Sequence, residues 1–251
     1  MKIKFTGTGD GKSIPVVGCR CDRCVRARRH GGRDRRRRVS VVIRAGRDTI
    51  VFDTPSSIND VINEEKIFHI SAIFLSHKHF DHIGGITAFE YWPKRIPVYG
   101  SMSALGNFET TDRLYEKCEF HVLHDKEVVA VGKVKVTPFE VEHKVPTFGL
   151  EFTEGRKRLV HFNDKAGTAL NEYEEELVRR SNLVVFHTPG YHKGTDHIDI
   201  VSVVKIAKKY PDTRFVVTHI GHQTLSHEQL EKKLSPYDNI TVAFDGLEMV
   251  V

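Results

Sequence analysis

The stretch SHKHFDHIGG, residues 76–85, holds three histidines and one aspartate in the pattern HxHxDH. It follows the apolar segment AIFL (72–75), which we predict to be a β-strand, and it ends on two glycines. On a turn after a strand, three imidazoles and one carboxylate can point into one cavity, which indicates a metal site. The motif supplies half of a dinuclear site, and its two pairs would be His77 with His79 and Asp81 with His82. Neutral imidazole suits Zn, Mn, Fe or Ni, so these residue types leave the metal open.

Further ligands are expected at the ends of later strands. His143 ends VKVTPFEVEH, Asp164 ends RLVHFND and His219 ends RFVVTH, and each is a polar residue that follows an apolar strand. Taken singly, each is also interpretable as a capping or loop residue. Together with HxHxDH they make seven candidate ligands.

The pattern of apolar segments predicts an α+β fold. Strands dominate the first half of the chain and alternate with helices in the second, which favours two sheets packed together with helices outside. The predicted strands cover 2–5, 39–45, 49–53, 71–77, 96–100, 119–123, 133–142, 148–153, 157–164, 181–187, 213–219 and 240–246. The predicted helices cover 56–67, 167–181, 199–210 and 226–235, and Ser226 with Gln229 forms the signature of a capping box.

Composition is that of a water-soluble protein. Of 251 residues, 39% are hydrophobic and 28% are charged. No apolar run reaches the roughly 20 residues of a membrane-spanning helix, so we expect no membrane partner. The beginning, MKIKFTGTGDGK, lacks the apolar stretch of a signal peptide, which predicts a cytoplasmic protein. No Pro-rich or Ser-rich linker interrupts the chain, so residues 1–251 are expected to form one domain.

The positive charge is concentrated in one segment. The formal net charge is +5, and RARRHGGRDRRRR (26–38) is the dense basic block. It has two interpretations: a surface for a phosphate-rich partner or substrate, or a solvated loop.

Three of the four cysteines lie within six positions, in the pattern CxCxxC. Thiols stay reduced in the cytoplasm, so clustered cysteines favour a metal over disulfides. A structural zinc takes four ligands, commonly three cysteines and one histidine. Cys19, Cys21 and Cys24 would supply three, and the candidates for the fourth are Cys118, His30 and His222.

The order of HxHxDH followed by His, Asp and His resembles that of the metallo-β-lactamase superfamily. This resemblance implies an αββα sandwich with a dinuclear site between the sheets. It assigns His77, His79 and His143 to one metal, Asp81, His82 and His219 to the other, and Asp164 to a bridging position. The second histidine of the motif stands where the oxygen-reducing branch has glutamate, so hydrolysis is favoured over redox chemistry.

Four further stretches resemble the PhnP-like phosphodiesterases, a branch of the superfamily close to RNase Z. They are GCRCDRCVRAR (18–28), TFGLEF (147–152), THIGHQ (218–223) and FDGLEM (244–249). The resemblance implies that Cys19, Cys21, Cys24 and His222 bind a structural zinc, which would staple a loop at about 16–38.

The resemblance also implies the reaction. A hydroxide bridging two divalent metals (Mn, Zn or Ni) would attack phosphorus in a small cyclic phosphodiester, such as 5-phosphoribosyl 1,2-cyclic phosphate. His197, in HKGTDHIDI (192–200), would be the general acid, with His192 as its rival. Asp81 is the second residue expected to act in catalysis. The remaining histidines near strands are interpreted as structural: His121, His124, His161 and His187.

Other readings stay open. Lys144, Lys165 or the basic block could hold the second phosphate of such a substrate. An RNase Z-like enzyme would process tRNA, but only 20 residues separate His143 from Asp164, which leaves no room there for a substrate-gripping arm. A non-catalytic zinc-stapled scaffold, such as the PqqB-like proteins, would bind nucleotides and hold the structural zinc alone. RNA and a second copy of the chain remain candidate partners.

Overall fold

Two seven-stranded sheets packed face to face form the centre of the computed structural model, which describes residues 1–106, 111–192 and 196–251. The first sheet is antiparallel at one side and parallel at the other. Its strands, in spatial order, are β14 (Glu248–Val250), β1 (Lys2–Gly7), β2 (Ser40–Ala45), β3 (Asp48–Phe52), β4 (Ala72–Leu75), β5 (Ile96–Gly100) and β6 (Cys118–Val122).

The second sheet repeats this mixed arrangement. Its first four strands are parallel and the remaining pairings are antiparallel. In spatial order the strands are β13 (Ile240–Val242), β12 (Arg214–Thr218), β11 (Leu183–His187), β10 (Lys157–His161), β9 (Thr147–Glu154), β8 (Val134–Val141) and β7 (Val129–Val131).

Helices cover the outer faces of both sheets. A short 3₁₀ segment, Ile86–Tyr91, adds to the layer on the first sheet. The α-helices are α1 (Asp22–His30), α2 (Ile58–Glu64), α3 (Phe80–Ile83), α4 (Met102–Leu105), α5 (Asp112–Lys117), α6 (Glu172–Arg179), α7 (Ile200–Lys209) and α8 (His227–Leu234). Among the described residues, no helix combines the length and apolar character that crossing a bilayer requires.

Alternation along the strands creates three apolar layers. In β3, Ile50 and Phe52 belong to the cluster between the sheets, whereas Val51 packs outward beneath the helices. Phe52 meets Phe152 of the second sheet with ring centroids 6.2 Å apart, edge to face. Burying a phenylalanine of this kind stabilises the fold by about 1.5–3 kcal/mol. The predicted αββα sandwich is therefore confirmed.

The structure adds several elements that the sequence analysis did not predict: α1, α3, α4, α5, the 3₁₀ segment, β7 and β14. Helix α1 follows directly on Cys21 and ends at His30, so it contains only the beginning of the basic block, and its sequence DRCVRARRH carries few apolar residues. It buries one narrow stripe, Arg23, Cys24 and Ala27, so the usual apolar signal of a helix is missing. The capping box at Ser226 and Gln229 is present as predicted.

Candidate metal centre and active site

The HxHxDH residues follow β4 of the first sheet: His77 and His79 lie in the turn after the strand, and Asp81 and His82 lie in helix α3. β4 is four buried apolar residues, and the chain leaves it at Ser76 to enter the four-residue helix α3. The side chains of His77 and His82 are fully buried. The motif therefore projects from the carboxyl end of a buried strand into the space between the sheets.

The other three predicted ligands come from the second sheet. His143 follows β8, Asp164 follows β10 and His219 follows β12. The structure brings all three to the HxHxDH turn, because the ends of these strands face it across the sandwich. The seven predicted residues thus meet in one place.

Four of the seven form a first group of candidate ligand atoms. His77 Nε2 lies 2.8 Å from His79 Nδ1 and 3.4 Å from Asp164 Oδ2. His143 Nε2 lies 3.4 Å from His79 Nδ1 and 3.8 Å from Asp164 Oδ2. Two ligands of a tetrahedral ion with bonds of about 2.0–2.1 Å stand about 3.4 Å apart. Three of the four distances lie near this value, and the distance between His77 and His79 is shorter, so these two imidazoles would move apart slightly to hold a cation with His143 and Asp164.

A second group shares Asp164 with the first. Asp81 Oδ2 lies 3.5 Å from His82 Nε2 and 3.6 Å from His219 Nε2. Asp164 reaches the same histidines, with Oδ2 3.4 Å from His82 Nε2 and Oδ1 3.9 Å from His219 Nε2. The carboxylate of Asp164 therefore stands between the two groups.

Unpaired nitrogen atoms support a fit to metal ions. His82 Nε2 and His219 Nε2 are buried and find no hydrogen-bond partner among the described residues. Leaving such atoms unpaired costs roughly 1–3 kcal/mol each. A divalent cation between these nitrogens and the carboxylates would satisfy them, so the donor set fits a pair of such ions.

Charge within the centre is balanced between histidines and carboxylates. Burial alone would raise the pKa of Asp164, but His82 and His219 outweigh it and hold that pKa well below its ordinary value. Burial opposes a proton on His82, yet Asp164 and Asp53 raise the pKa of its imidazole well above 6.5. Cations and protons compete for these groups, so metal binding would release protons.

Asp53 is a member of the site that the sequence analysis missed. It follows β3, and its Oδ2 accepts a hydrogen bond from Nδ1 of His82 at 2.7 Å. It also accepts from the backbone and hydroxyl of Ser76 and from the Asn163 amide. Asp53 could have been found from the sequence, because it is the polar residue at the end of the apolar strand TIVFD (49–53), as the ligands from the second sheet are at the ends of theirs. Such a partner sets the orientation of a metal-binding imidazole.

His187 also lies in the centre, although its sequence context suggested a structural role. Its Nδ1 donates to Asp164 Oδ1 at 2.6 Å, and its ring stacks on His219 with centroids 4.7 Å apart. Its ligand atoms belong to a close group with His82, Asp164 and His219. His187 therefore helps to hold the bridging carboxylate.

The backbone is in the left-handed region at three residues of the centre. Asp53, Asn163 and His219 have φ angles of 63°, 54° and 61°. Non-glycine residues in this region are strained and cluster at functional sites. The strain is consistent with residues placed for chemistry rather than for stability.

His197 reaches the centre from the segment before α7. Its Nε2 lies 3.1 Å from Asp164 Oδ2, and its side chain is 17% exposed. His192, the rival for the role of acid, is exposed and packs its ring against Tyr191. Gly194, the glycine of the predicted loop, lies outside the described residues.

A cleft of about 720 Å³ opens beside His197. Its volume is in the range of small-molecule sites. The lining includes the loop after β1, the segment that carries Tyr191 and His192, and the THIGHQ stretch.

The three clustered cysteines come together at the start of α1. Their sulfur atoms all lie within 4.8 Å of one another. Burial raises the pKa of the Cys24 thiol, and the backbone N–H of Val16, which donates to Cys24 Sγ at 3.4 Å, opposes this only in part. Hydrogen bonds from the backbone of Cys24 and from Cys19 lower the pKa of the exposed Cys21 thiol. This geometry suits a zinc ion.

Among the described residues, no fourth ligand atom joins the close group that the three cysteines form. His222 is outside the group of mutually close ligand atoms that the three cysteines form, although its Nδ1 is buried and has no partner among the described residues. Its loop is tied to α1, because Arg23 donates to the carbonyls of Gly221 and Thr224 at 3.0 and 3.2 Å. Cys118 begins β6, where burial raises its pKa to about 12.

The basic block as a whole is neither a free surface for a phosphate-rich partner nor a solvated loop. Arg36 is 1% exposed and donates to Thr8 and to the carbonyl of Ala243. Other arginines of the block are engaged as follows: Arg28 with Cys19 and Val16, Arg33 with Glu231, Arg37 with Glu64, and Arg38 with Gly11 and Ser56. Much of the block therefore fastens the cysteine loop to the sandwich.

Both lysines considered for a second phosphate are engaged elsewhere. Lys165 is buried, and its Nζ lies 3.1 Å from Glu174, whose carboxylate is buried as well. Lys144 pairs with Asp196 at 2.7 Å. Neither therefore presents a free cation to a substrate.

Comparison with known proteins agrees with this architecture. Residues 41–220 match the family described as Beta-lactamase superfamily domain. A diphosphatase of the PhnP family superposes with a TM-score of 0.86 and 24% identity, covering 100% of this chain and 97% of that one. Zn²⁺-bound PqqB from Methylobacterium extorquens gives 0.82 and 18%, covering 100% of both chains. The short form of human tRNase Z gives 0.69 and 18%, covering 100% and 99%. At these identities the likeness shows the fold.

A curated octanoyltransferase of Porphyromonas gingivalis is 24% identical over 272 residues. The match covers 100% of this chain and 52% of that protein. The chain thus spans about half the length of this curated relative.

Proposed function

This chain belongs to the β-lactamase superfamily, and from that premise we propose that it is a metal-dependent phosphodiesterase acting on a small cyclic phosphodiester. The main support for this function is the set of groups around Asp164. Oxygen Oδ2 of Asp164 has candidate ligands from both sheets around it and His197 Nε2 3.1 Å away. Cation-binding groups and a proton donor therefore surround the same point.

Two divalent cations would be held by the seven candidate ligands. The first would take His77, His79 and His143, the second Asp81, His82 and His219, with Asp164 shared. When bound, such a pair activates a water molecule and stabilises the attacking and leaving oxygens of an in-line displacement. Asp53 and His187 would orient His82 and Asp164 for that purpose.

His197 would supply the proton that the leaving group needs. The attacking water gives up one proton to solvent as its oxygen bonds to phosphorus; the bond from phosphorus to a sugar oxygen then breaks, and that oxygen takes a proton from His197 Nε2. Histidine is the side chain that most often acts as a general acid or base in enzymes. The position of His197 between the cleft and Asp164 supports its assignment over His192.

The size of the cleft favours a small substrate. A volume of about 720 Å³ accommodates a sugar phosphate. The chain between His143 and Asp164 consists largely of β9 and β10, paired as a hairpin, which supports the expectation that no RNA-gripping arm lies there. A small cyclic phosphodiester is therefore preferred over tRNA.

We further propose that residues 1–251 form one unit with a structural zinc at Cys19, Cys21, Cys24 and His222. Pairing of β14 with β1 joins the two ends of the chain in one sheet, which supports a single unit. Metal analysis tests the zinc: Cys24→Ser should lose one metal equivalent of three, and Cys118→Ser should lose none. Retention of all three metals by Cys24→Ser would reject this site.

The phosphodiesterase is tested by phosphorus NMR of Mn-loaded protein with 5-phosphoribosyl 1,2-cyclic phosphate. We expect the cyclic signal to be replaced by that of a phosphate monoester, and Asp164→Asn to abolish the conversion. No conversion by protein shown to hold both catalytic metals would reject this substrate. Cleavage of a tRNA precursor instead would favour the RNase Z reading, and protein that binds the structural zinc alone would favour a scaffold.

A further inference from the structure

Asn163 links the two sheets inside the candidate metal centre, and we propose that it is a positioning residue that sets the separation of the two ligand groups. It follows β10 of the second sheet, and its side chain contacts Asp53, which follows β3 of the first. The inference rests on the proposed dinuclear function. It deepens that function by naming a residue outside the seven candidate ligands on which the reaction would depend.

The side chain amide of Asn163 is fixed at both of its ends. Nδ2 donates to Asp53 Oδ2 at 3.0 Å, and Oδ1 accepts from the backbone N–H of Asp164 at 2.8 Å. The opposite orientation of the amide would set Oδ1 against a carboxylate oxygen with no hydrogen between them, so the partners settle the assignment. Asn163 is fully buried, and bulk water therefore does not compete for these bonds.

The backbone conformation explains only part of why an asparagine stands here. The φ angle of Asn163 is 54°, in the left-handed region, which asparagine, aspartate and glycine adopt more readily than other residues. Glycine would satisfy the turn but would offer no side chain to either partner, and aspartate would turn a donor into an acceptor. Of these three residue types, asparagine alone meets the turn, donates to Asp53 and accepts from Asp164.

The contacts of Asp53 carry this link to the ligands of the first sheet. The same oxygen, Asp53 Oδ2, accepts from Nδ1 of His82 at 2.7 Å, and His82 Nε2 lies 3.4 Å from Asp164 Oδ2. Asp164, Asn163, Asp53 and His82 thus form a closed ring of contacts across the two sheets. The ring fixes the shared carboxylate of one sheet relative to a candidate ligand of the other.

Asp53 does not need Asn163 to satisfy its own hydrogen bonding. Besides His82, it accepts from the backbone N–H of Ser76 at 2.8 Å and from the Ser76 hydroxyl at 3.0 Å. What Asn163 adds is the connection to Asp164. Because a misplacement of about 1 Å can cost about 100-fold in rate, loss of this connection should lower kcat. KM should change little, since none of the residues that line the cleft is altered.

Two variants separate the amide from the turn. Asn163→Gly keeps the left-handed backbone and removes the amide, whereas Asn163→Asp keeps the size and sets a second carboxylate against Asp53. The matched control is Asn182→Gly, which removes an exposed asparagine at the other end of β10, where its Oδ1 accepts from the Arg158 backbone at 2.8 Å. Circular dichroism establishes that each variant is folded.

Electron paramagnetic resonance of Mn-loaded protein gives a readout that does not depend on a substrate, because two Mn²⁺ ions that share a bridging group couple magnetically. We expect both Asn163 variants to lose or alter the coupled signal and to bind Mn²⁺ about 10- to 100-fold more weakly in competition with a chelator. Their kcat for 5-phosphoribosyl 1,2-cyclic phosphate should fall about 100-fold. The control should match the wild type in all three measurements.

A wild-type signal and kcat in both Asn163 variants would overturn the positioning role, and so would equal losses in Asn182→Gly. Failure of both variants to fold would assign Asn163 to the fold itself and also overturn it. If the wild type hydrolyses no diester but its coupled signal depends on Asn163, the positioning role stands and the phosphodiesterase proposal fails. Wild-type protein that shows no coupled pair would overturn the positioning role, whatever its activity.

Discussion

The carboxylate of Asp53 lies 2.7 Å from Nδ1 of His82, directly behind the imidazole that faces Asp81 and Asp164. Because an ionised carboxylate only accepts hydrogen bonds, Nδ1 carries the proton and Nε2 is left free for a cation. Asp53 also holds Ser76, whose hydroxyl lies 2.9 Å from Nδ1 of His77. One carboxylate thus sets the orientation of two candidate ligands.

Replacing Asp53 with Asn should weaken metal binding. The amide cannot accept as strongly from Nδ1 of His82, and comparable changes behind a ligand cost about 10- to 100-fold in affinity. Competition with a chromophoric chelator measures the change, and Asp60→Asn on α2, an exposed carboxylate, is the control. Unchanged affinity in the Asp53 variant would show that this carboxylate serves the fold alone.

His197→Ala should slow hydrolysis while metal content stays the same. Loss of a general acid typically costs about 100- to 10,000-fold in turnover. His192→Ala is the matched control from the same segment and should keep most of its activity. Steady-state rates measure the loss of turnover, and elemental analysis measures the metal content of both variants. Loss of metal from the His197 variant would instead make this residue a ligand.

Arg36→Met should destabilise the fold, and Arg35→Met should not. Arg36 is buried, and its replacement leaves the carbonyl of Ala243 and Nδ1 of His227 without their partner. We expect a loss of about 2–4 kcal/mol in the free energy of unfolding. The exposed Arg35 should change it by less than about 0.5 kcal/mol. Urea denaturation measures both, and equal effects would contradict the fastening role of the block.

Cys118 should resist alkylation in the folded protein. Burial raises the pKa of its thiol to about 12, so the reactive thiolate forms as pH rises toward that value and is scarce at pH 8. Cys21 is exposed and its pKa is lowered, so after chelator treatment it should react first. Mass spectrometry after iodoacetamide treatment measures the order. Rapid labelling of Cys118 without denaturant would contradict its burial.

Much of the candidate centre was predictable from the sequence, because a polar residue at the end of an apolar strand has a recognisable local pattern. His143, Asp164 and His219 were identified in this way, and the structure brings them together. Asp53 carried the same pattern and was missed, since no metal-ligand spacing surrounded it. His187 was passed over because a histidine at the end of a buried strand also suits a structural role.

The sequence by itself determined the two-sheet fold and the set of candidate ligands, because alternation and strand-end chemistry are local properties. Only the tertiary structure decided which charged side chains are buried and which groups they contact. Arg23 lies among the clustered cysteines and Arg36 in the basic block, yet packing buries both against carbonyls that lie about 200 positions away along the chain. Lys12 gained a place beside the centre because Gly11 lets its loop reach Asp81. Such roles depend on which distant groups meet when the sheets pack, and no local pattern encodes those partners.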